Sequence, residues 1–128
     1  MLTHTTDGVL TPDELKSLIE QSLDADKAED IVSIELDDQT GLADFMVIAS
    51  GTSSRHVSAL TDKLVHRLNL NGIKSINVEG QARSDWVAID AGDVIIHLFR
   101  PEVRAFYNIE KMWGTFHPYE VVTDQLQA

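Results

Sequence analysis

Apolar positions along this chain switch between helical and strand periods, and the switches predict the order of elements. Leu15, Leu18, Ile19 and Leu23 recur at helical spacing, so one apolar face runs to about Asp24. Its start is sharply marked. Thr11 suits the N-cap, Pro12 the first helical position, and Glu14 at N3 completes a capping box. Residues 24–30 form a charged connector. Over 31–37, Val32, Ile34 and Leu36 alternate with Ser33 and Glu35, which predicts a strand with one buried and one wet face. A loop over 38–42 carries Gly41, and residues 45–49 are continuously apolar, as expected of a strand covered on both faces.

Gly51-Thr52-Ser53-Ser54 opens a long helix to about Asn71, with Val57, Leu60, Leu64, Val65 and Leu68 as its buried stripe. Asn71-Gly72 supplies a left-handed stop. A short third strand over 73–78 ends at Glu79-Gly80, so strand, helix and strand should form a right-handed parallel crossover. Residues 85–90 and 94–99 are two further strands, joined closely enough through Ala91-Gly92 to predict a hairpin. Pro101 starts a last helix carrying Phe106, Tyr107, Ile109, Met112 and Trp113, and Gly114 ends it. The pattern is that of one α/β domain over 11–113: a single mixed β-sheet of about five strands with helices packed on its faces. Residues 1–10 read as a flexible N-terminal tail and 114–128 as an acidic C-terminal tail.

Composition narrows the classes. At 128 residues the chain can bury roughly two-thirds of its unfolded surface, enough for a core without staples. The absence of cysteine removes disulfides, thiolate metal sites and cysteine nucleophiles from consideration. The net charge of −11 repels phosphate backbones, so little direct nucleic-acid contact is expected. The same charge suits a basic partner, although it also serves solubility alone. No apolar run approaches the roughly 20 residues that span a membrane. Residues 1–10 hold no Lys or Arg, so no targeting segment is expected and the expected location is cytoplasmic.

Candidate chemistry is sparse. None of the five histidines (His4, His56, His66, His97 and His117) pairs in the i, i+4 pattern of a zinc helix, and no metal or cofactor is expected. His97, between Ile96 and Leu98, reads as a buried, hydrogen-bonded imidazole. Gly51, Thr52 and Ser53 sit where a strand feeds a helix, which is both a place to hold an anion and good capping chemistry; the Gly-Lys-Ser/Thr element of a P-loop is missing. Asp90 and Asp93 flank the Ala91-Gly92 turn and are either turn formers or a carboxylate pair for magnesium. Strand alternation puts Trp86, Ala88 and Asp90 on the face opposite Val87 and Ile89. Trp86 is then a core residue under a helix or a binding anchor with a polar rim, and alternation does not choose between them.

Five stretches, in order, carry a family resemblance. They are Asp44 to Ile48 followed by Gly51-Thr52-Ser53-Ser54-Arg55-His56-Val57; Glu79-Gly80; Trp86-Val87-Ala88-Ile89-Asp90; Gly92-Asp93-Val94-Ile95-Ile96-His97; and Arg104-Ala105-Phe106-Tyr107-Asn108-Ile109-Glu110-Lys111-Met112-Trp113. Singly they are unspecific; together they resemble the ribosomal silencing factor (Iojap-like) family over about residues 13–113. That resemblance implies a nucleotidyltransferase-like topology and no catalysis. It further implies a homodimer that binds universal large-subunit protein fourteen (uL14) on the large ribosomal subunit, blocks small-subunit joining and lowers translation when nutrients are scarce. Its contact surface maps to Trp86, Asp90, Ala91 and Asp93. Ala91 departs from the larger aliphatic residue that relatives can carry there.

The rival expectation is a nucleotidyltransferase-like enzyme or nucleotide-binding protein, with Gly51-Thr52-Ser53 on phosphate and Asp90 and Asp93 on magnesium. Against it, Ser54, Arg55 and His56 stand where such enzymes place an acidic pair.

Overall fold

A computed structural model describes residues 10–36, 41 and 43–108. The expected tails (apart from Leu10), most of the 38–42 loop and the end of the last helix from Ile109 lie outside the described residues. The elements are α1 (Pro12–Ala25), β1 (Glu29–Glu35), β2 (Phe45–Ser50), α2 (Ser54–Leu70), β3 (Asn77–Glu79), β4 (Trp86–Asp90), β5 (Val94–Phe99) and α3 (Pro101–Tyr107). They build one mixed five-stranded sheet with three helices, the α/β class that the periodicities predict.

The α1 start forms as expected. Thr11 Oγ1 accepts from the Glu14 N–H at 3.1 Å, and Glu14 Oε1 accepts from the Thr11 N–H at 2.9 Å. Thr11→Ala removes one side of this box and should cost about 1 kcal/mol, seen as a lower urea midpoint with an unchanged slope.

The strand order is β1-β2-β5-β4-β3. The β4–β5 hairpin is antiparallel, as predicted, and β5 pairs in parallel with β2. The expected crossover is corrected in one respect. β2 and β3 do run the same way, but β5 and β4 lie between them, so the parallel neighbours are β2 and β5. The hairpin inserts into the space the crossover leaves, and α2 packs over β4 and β5. The third strand also shrinks to three residues. β1 starts two residues earlier than its alternation suggests, through an irregularity at which Asp30 adopts φ 51°.

The two sheet faces differ. Val47, Ala49, Val87, Ile89, Val94, Ile96 and Leu98 meet α1 and α2 in the main core. In α2, Val57, Leu60, Leu64 and Leu68 are buried as expected, whereas Val65 is only half-buried and Thr61 takes the inner position. Thr61 is tolerated there because its hydroxyl donates to the Val57 carbonyl at 2.9 Å. On the other face Ile34, Leu36, Met46, Ile48 and Phe99 form a smaller cluster, joined by Trp86 and by Val103 of α3. The described part of α3 ends at Tyr107, where Asn108 turns left-handed with φ 51° and its N–H donates to the Arg104 carbonyl. Among the described residues no helix is long and apolar enough to cross a membrane.

Candidate docking site

Trp86 opens β4 and lies directly across from Phe99, the last residue of β5. Alternation turns it away from the fully buried Val87 and Ile89 and onto the face of the smaller cluster. Its role there is double. The indole stacks on Phe99 with centroids 5.0 Å apart, and the Tyr107 ring of α3 sits 4.7 Å away, tilted by 45°. Yet Trp86 is only half-buried, and it lines a cavity of about 790 Å³ between the start of β4 and α3. It is core and cavity wall at once.

The rest of the cavity comes from both flanks. Gly80, Ala82, Arg83 and Asp85 line it from the β3–β4 connection, and Glu102, Val103, Phe106 and Tyr107 from α3. Gly80 has φ +90°, and a Cβ there would stand 2.3 Å from the Trp86 carbonyl oxygen. The connection therefore passes too close to the backbone for any residue but glycine, and this contact sets where β4 begins. Phe106 is 80% and Tyr107 50% exposed, beside the half-buried indole. Aromatic surface gathered in this way around a concavity is characteristic of binding sites rather than of bare surface. The rim is charged and mostly self-paired. Asp85 accepts from Arg100 Nε at 2.9 Å and lies 3.6 Å from Arg83, and Arg100 also pairs with Glu102. Asp85 and Arg100 are half-buried while Arg83 and Glu102 are exposed, and such solvent-facing pairs position the rim more than they stabilise the fold.

Indole nitrogen and imidazole meet on this face. The Trp86 Nε1–H donates to His97 Nδ1 at 2.8 Å. His97 is thus the hydrogen-bonded imidazole that its place in the strand predicts, with its proton on Nε2. Burial pushes its pKa down from 6.5 to about 4.

The expected contact residues do not form one compact patch. Trp86 and Asp90 stand at opposite ends of β4, about 13 Å apart at strand spacing. Asp90 and Asp93 are exposed. Asp90 closes its own turn, its Oδ1 accepting from the Gly92 N–H at 2.9 Å while Gly92 takes φ +90°, so the turn-forming reading describes it. The Asp93 carbonyl accepts from the Asp44 and Phe45 N–H groups and so anchors the turn to β2. Ala91 does not join them: it is 6% exposed and packs into the main core. Its small side chain supports the turn from beneath. Nothing in the sequence pattern marks Phe106, Tyr107 or the Trp86–His97 bond as site features. The sequence places Phe106 and Tyr107 on the last helix without assigning them a face, and only the packing shows that both are left open.

The Gly51–Ser53 turn is occupied internally. The Gly51 N–H donates to the Phe99 carbonyl at 2.9 Å, and the Thr52 N–H donates to His56 Nδ1 at 2.9 Å. Ser53 Oγ caps α2 by accepting from the His56 N–H at 3.1 Å. His56 Nε2 in turn meets the Asp26 carbonyl at 2.9 Å, so the imidazole clasps the end of α1 to the start of α2. Asp26, 2.6 Å from Arg67 and 3.7 Å from Lys63, completes the clasp, and the Arg67 hydrogen bond holds its carboxyl below the usual carboxylate range. The neighbouring cavity is walled by Asp26 and Glu29 as well as by Lys27 and Lys63, a poor cradle for an anion. The geometry gives these residues capping and clasping work. Among the described residues no group of three or more His, Cys, Asp or Glu side chains is placed to hold a metal.

Comparison with known proteins gives a consistent result. The family described as "Ribosomal silencing factor during starvation" matches residues 10–127. The "Ribosomal silencing factor RsfS" of Zymomonas mobilis is 52% identical over 103 residues, covering 80% of this chain and 77% of that protein. The mouse "Mitochondrial assembly of ribosomal large subunit protein 1" is 36% identical over 104 residues, which covers 79% of this chain and 44% of that one. A crystal structure of a Chromobacterium violaceum protein superposes with a TM-score of 0.79 at 34% identity, covering 82% of this chain and 88% of the other.

Proposed function

This chain belongs to the ribosomal silencing factor family, and we propose that it represses translation by docking on uL14 of the large subunit, where its bulk blocks small-subunit joining. The repression operates under nutrient limitation, in the cytoplasm, with the protein as a homodimer. Family membership supports ribosome association and translational regulation.

The observation that carries the contact is the half-buried Trp86 beside exposed Phe106 and Tyr107 on a strongly acidic molecule. A basic ribosomal protein meets such a surface with favourable long-range attraction and a place to seat an apolar anchor. Asp90 and Asp93 form a second, charged contact at the far end of β4, with Ala91 holding their turn. Blocking assembly needs affinity and volume but no bond-making, in keeping with Asp90 and the Gly51–Ser53 turn being used structurally.

Sedimentation of the purified protein with isolated subunits tests this. The protein should travel with large subunits, not small ones, and should reduce formation of the joined ribosome in proportion to occupancy. Absence from the large-subunit fraction would sink the reading. Retention there with undiminished subunit joining would sink the steric step alone.

A further inference from the structure

The structure assigns His97 a positioning role: by accepting the indole N–H on Nδ1, it fixes the orientation in which Trp86 is presented to the partner. This rests on Trp86 being the contact proposed above.

The geometry is specific to the two strands. Trp86 pairs with Phe99 and Ala88 with His97, so imidazole and indole are diagonal neighbours on one face. Ala88, small and directly opposite His97, leaves room for the indole to lean along the strand. The indole stacks on Phe99 and meets Tyr107 at a 45° tilt, and both contacts are ring against ring. Stacking restrains the plane of a ring but is tolerant of its rotation within that plane. A hydrogen bond is not: the single donor of the indole must point at a single lone pair 2.8 Å away. His97 therefore selects one of the two ways round in which the indole can lie in its slot. Tyr107, which meets the indole, is itself half-exposed, so ring packing alone leaves the orientation to the hydrogen bond.

The role is read from a hydrogen-bond partner, so variants that keep or remove the acceptor test it. His97→Phe keeps an aromatic ring and removes the acceptor; His97→Asn places an amide oxygen close to where Nδ1 stood. Binding to purified large subunits should fall about three- to tenfold in His97→Phe, as for a lost neutral hydrogen bond, and recover in His97→Asn. In a Trp86→Phe background, which has no indole N–H, His97→Phe should change nothing further. A second measurement reads the indole itself. The chain has two tryptophans, and Trp113→Phe leaves one indole N–H resonance. That proton should exchange slowly with water in the parent and in His97→Asn, and quickly in His97→Phe.

Equal losses from His97→Phe with and without the indole would show a general packing role and overturn the proposal. So would full binding by His97→Phe while Trp86→Ala binds poorly. Full binding by Trp86→Ala itself would overturn the contact assignment, and with it any role for His97 in presenting Trp86.

Discussion

Trp86→Ala should weaken binding to the large ribosomal subunit by about 2 kcal/mol or more, roughly thirtyfold, the scale of a central aromatic anchor. Two contributions combine. The partner loses the indole surface that lines the cavity, and Tyr107 loses the ring it packs against. The substitution also costs the fold, since Trp86 stacks on Phe99 within the smaller cluster. That cost should be about 2 kcal/mol, below the value for a fully buried aromatic because the ring is half-exposed. Binding must therefore be compared where circular dichroism shows both proteins folded. Trp86→Phe separates the two contributions, as it retains much of the packing and loses the N–H and part of the surface. Charge at the other end of β4 acts differently. Asp90→Asn and Asp93→Asn should mainly slow association and reduce its salt dependence, because rim charges steer encounter more than they hold the complex. Unchanged large-subunit binding by folded Trp86→Ala would remove Trp86 from the contact.

Much of this site was legible because local rules were obeyed. Thr11 and Glu14 cap α1 as their spacing dictates, and Val87 and Ile89 are buried because alternation in β4 is strict. The hairpin followed from the short separation of two apolar runs around Gly92. What stayed hidden depends on which elements become neighbours. Nothing local says that β5 and β4 insert between β2 and β3, and that insertion is what brings β5 beside β2. Strand alternation assigns Trp86 a face within its own strand and leaves His97 a separate buried imidazole; only the register of β4 on β5 makes them diagonal neighbours and one hydrogen-bonded pair. Ala91 shows the converse. The resemblance maps it to the contact surface with Asp90 and Asp93, yet it packs into the main core. Phe106 and Tyr107 are apolar residues of the last helix, and their exposure shows only once α3 is placed against the sheet.

Stability should fall as the solution is acidified from about pH 6.5 to pH 4, and His97 should account for about 3 kcal/mol of the loss. The sign follows from its burial. In the folded protein the pKa lies near 4 instead of 6.5, because burial disfavours the imidazolium. The unfolded chain therefore takes up a proton in this window that the folded protein refuses, and each unit of pH favours unfolding by about 1.36 kcal/mol. Above 6.5 the contribution is fully present; it is lost as pH falls toward the folded value. Below that value the folded imidazole also carries protons on both nitrogens, and the Trp86 N–H loses its acceptor. A loss of this size is a large fraction of the roughly 5–15 kcal/mol that holds a domain together. Asp26 acts in a different window. Its carboxyl is held below 3.8 by Arg67, so its contribution is present above that value and disappears only as pH falls further. Urea unfolding at a series of pH values, on the parent and on His97→Phe, separates the two. The parent should lose stability steeply between pH 6.5 and 4, and His97→Phe should show a flatter profile there with the same decline at lower pH. Parallel profiles across that window would mean that His97 does not carry the acid sensitivity and that its imidazole is not held neutral by the fold.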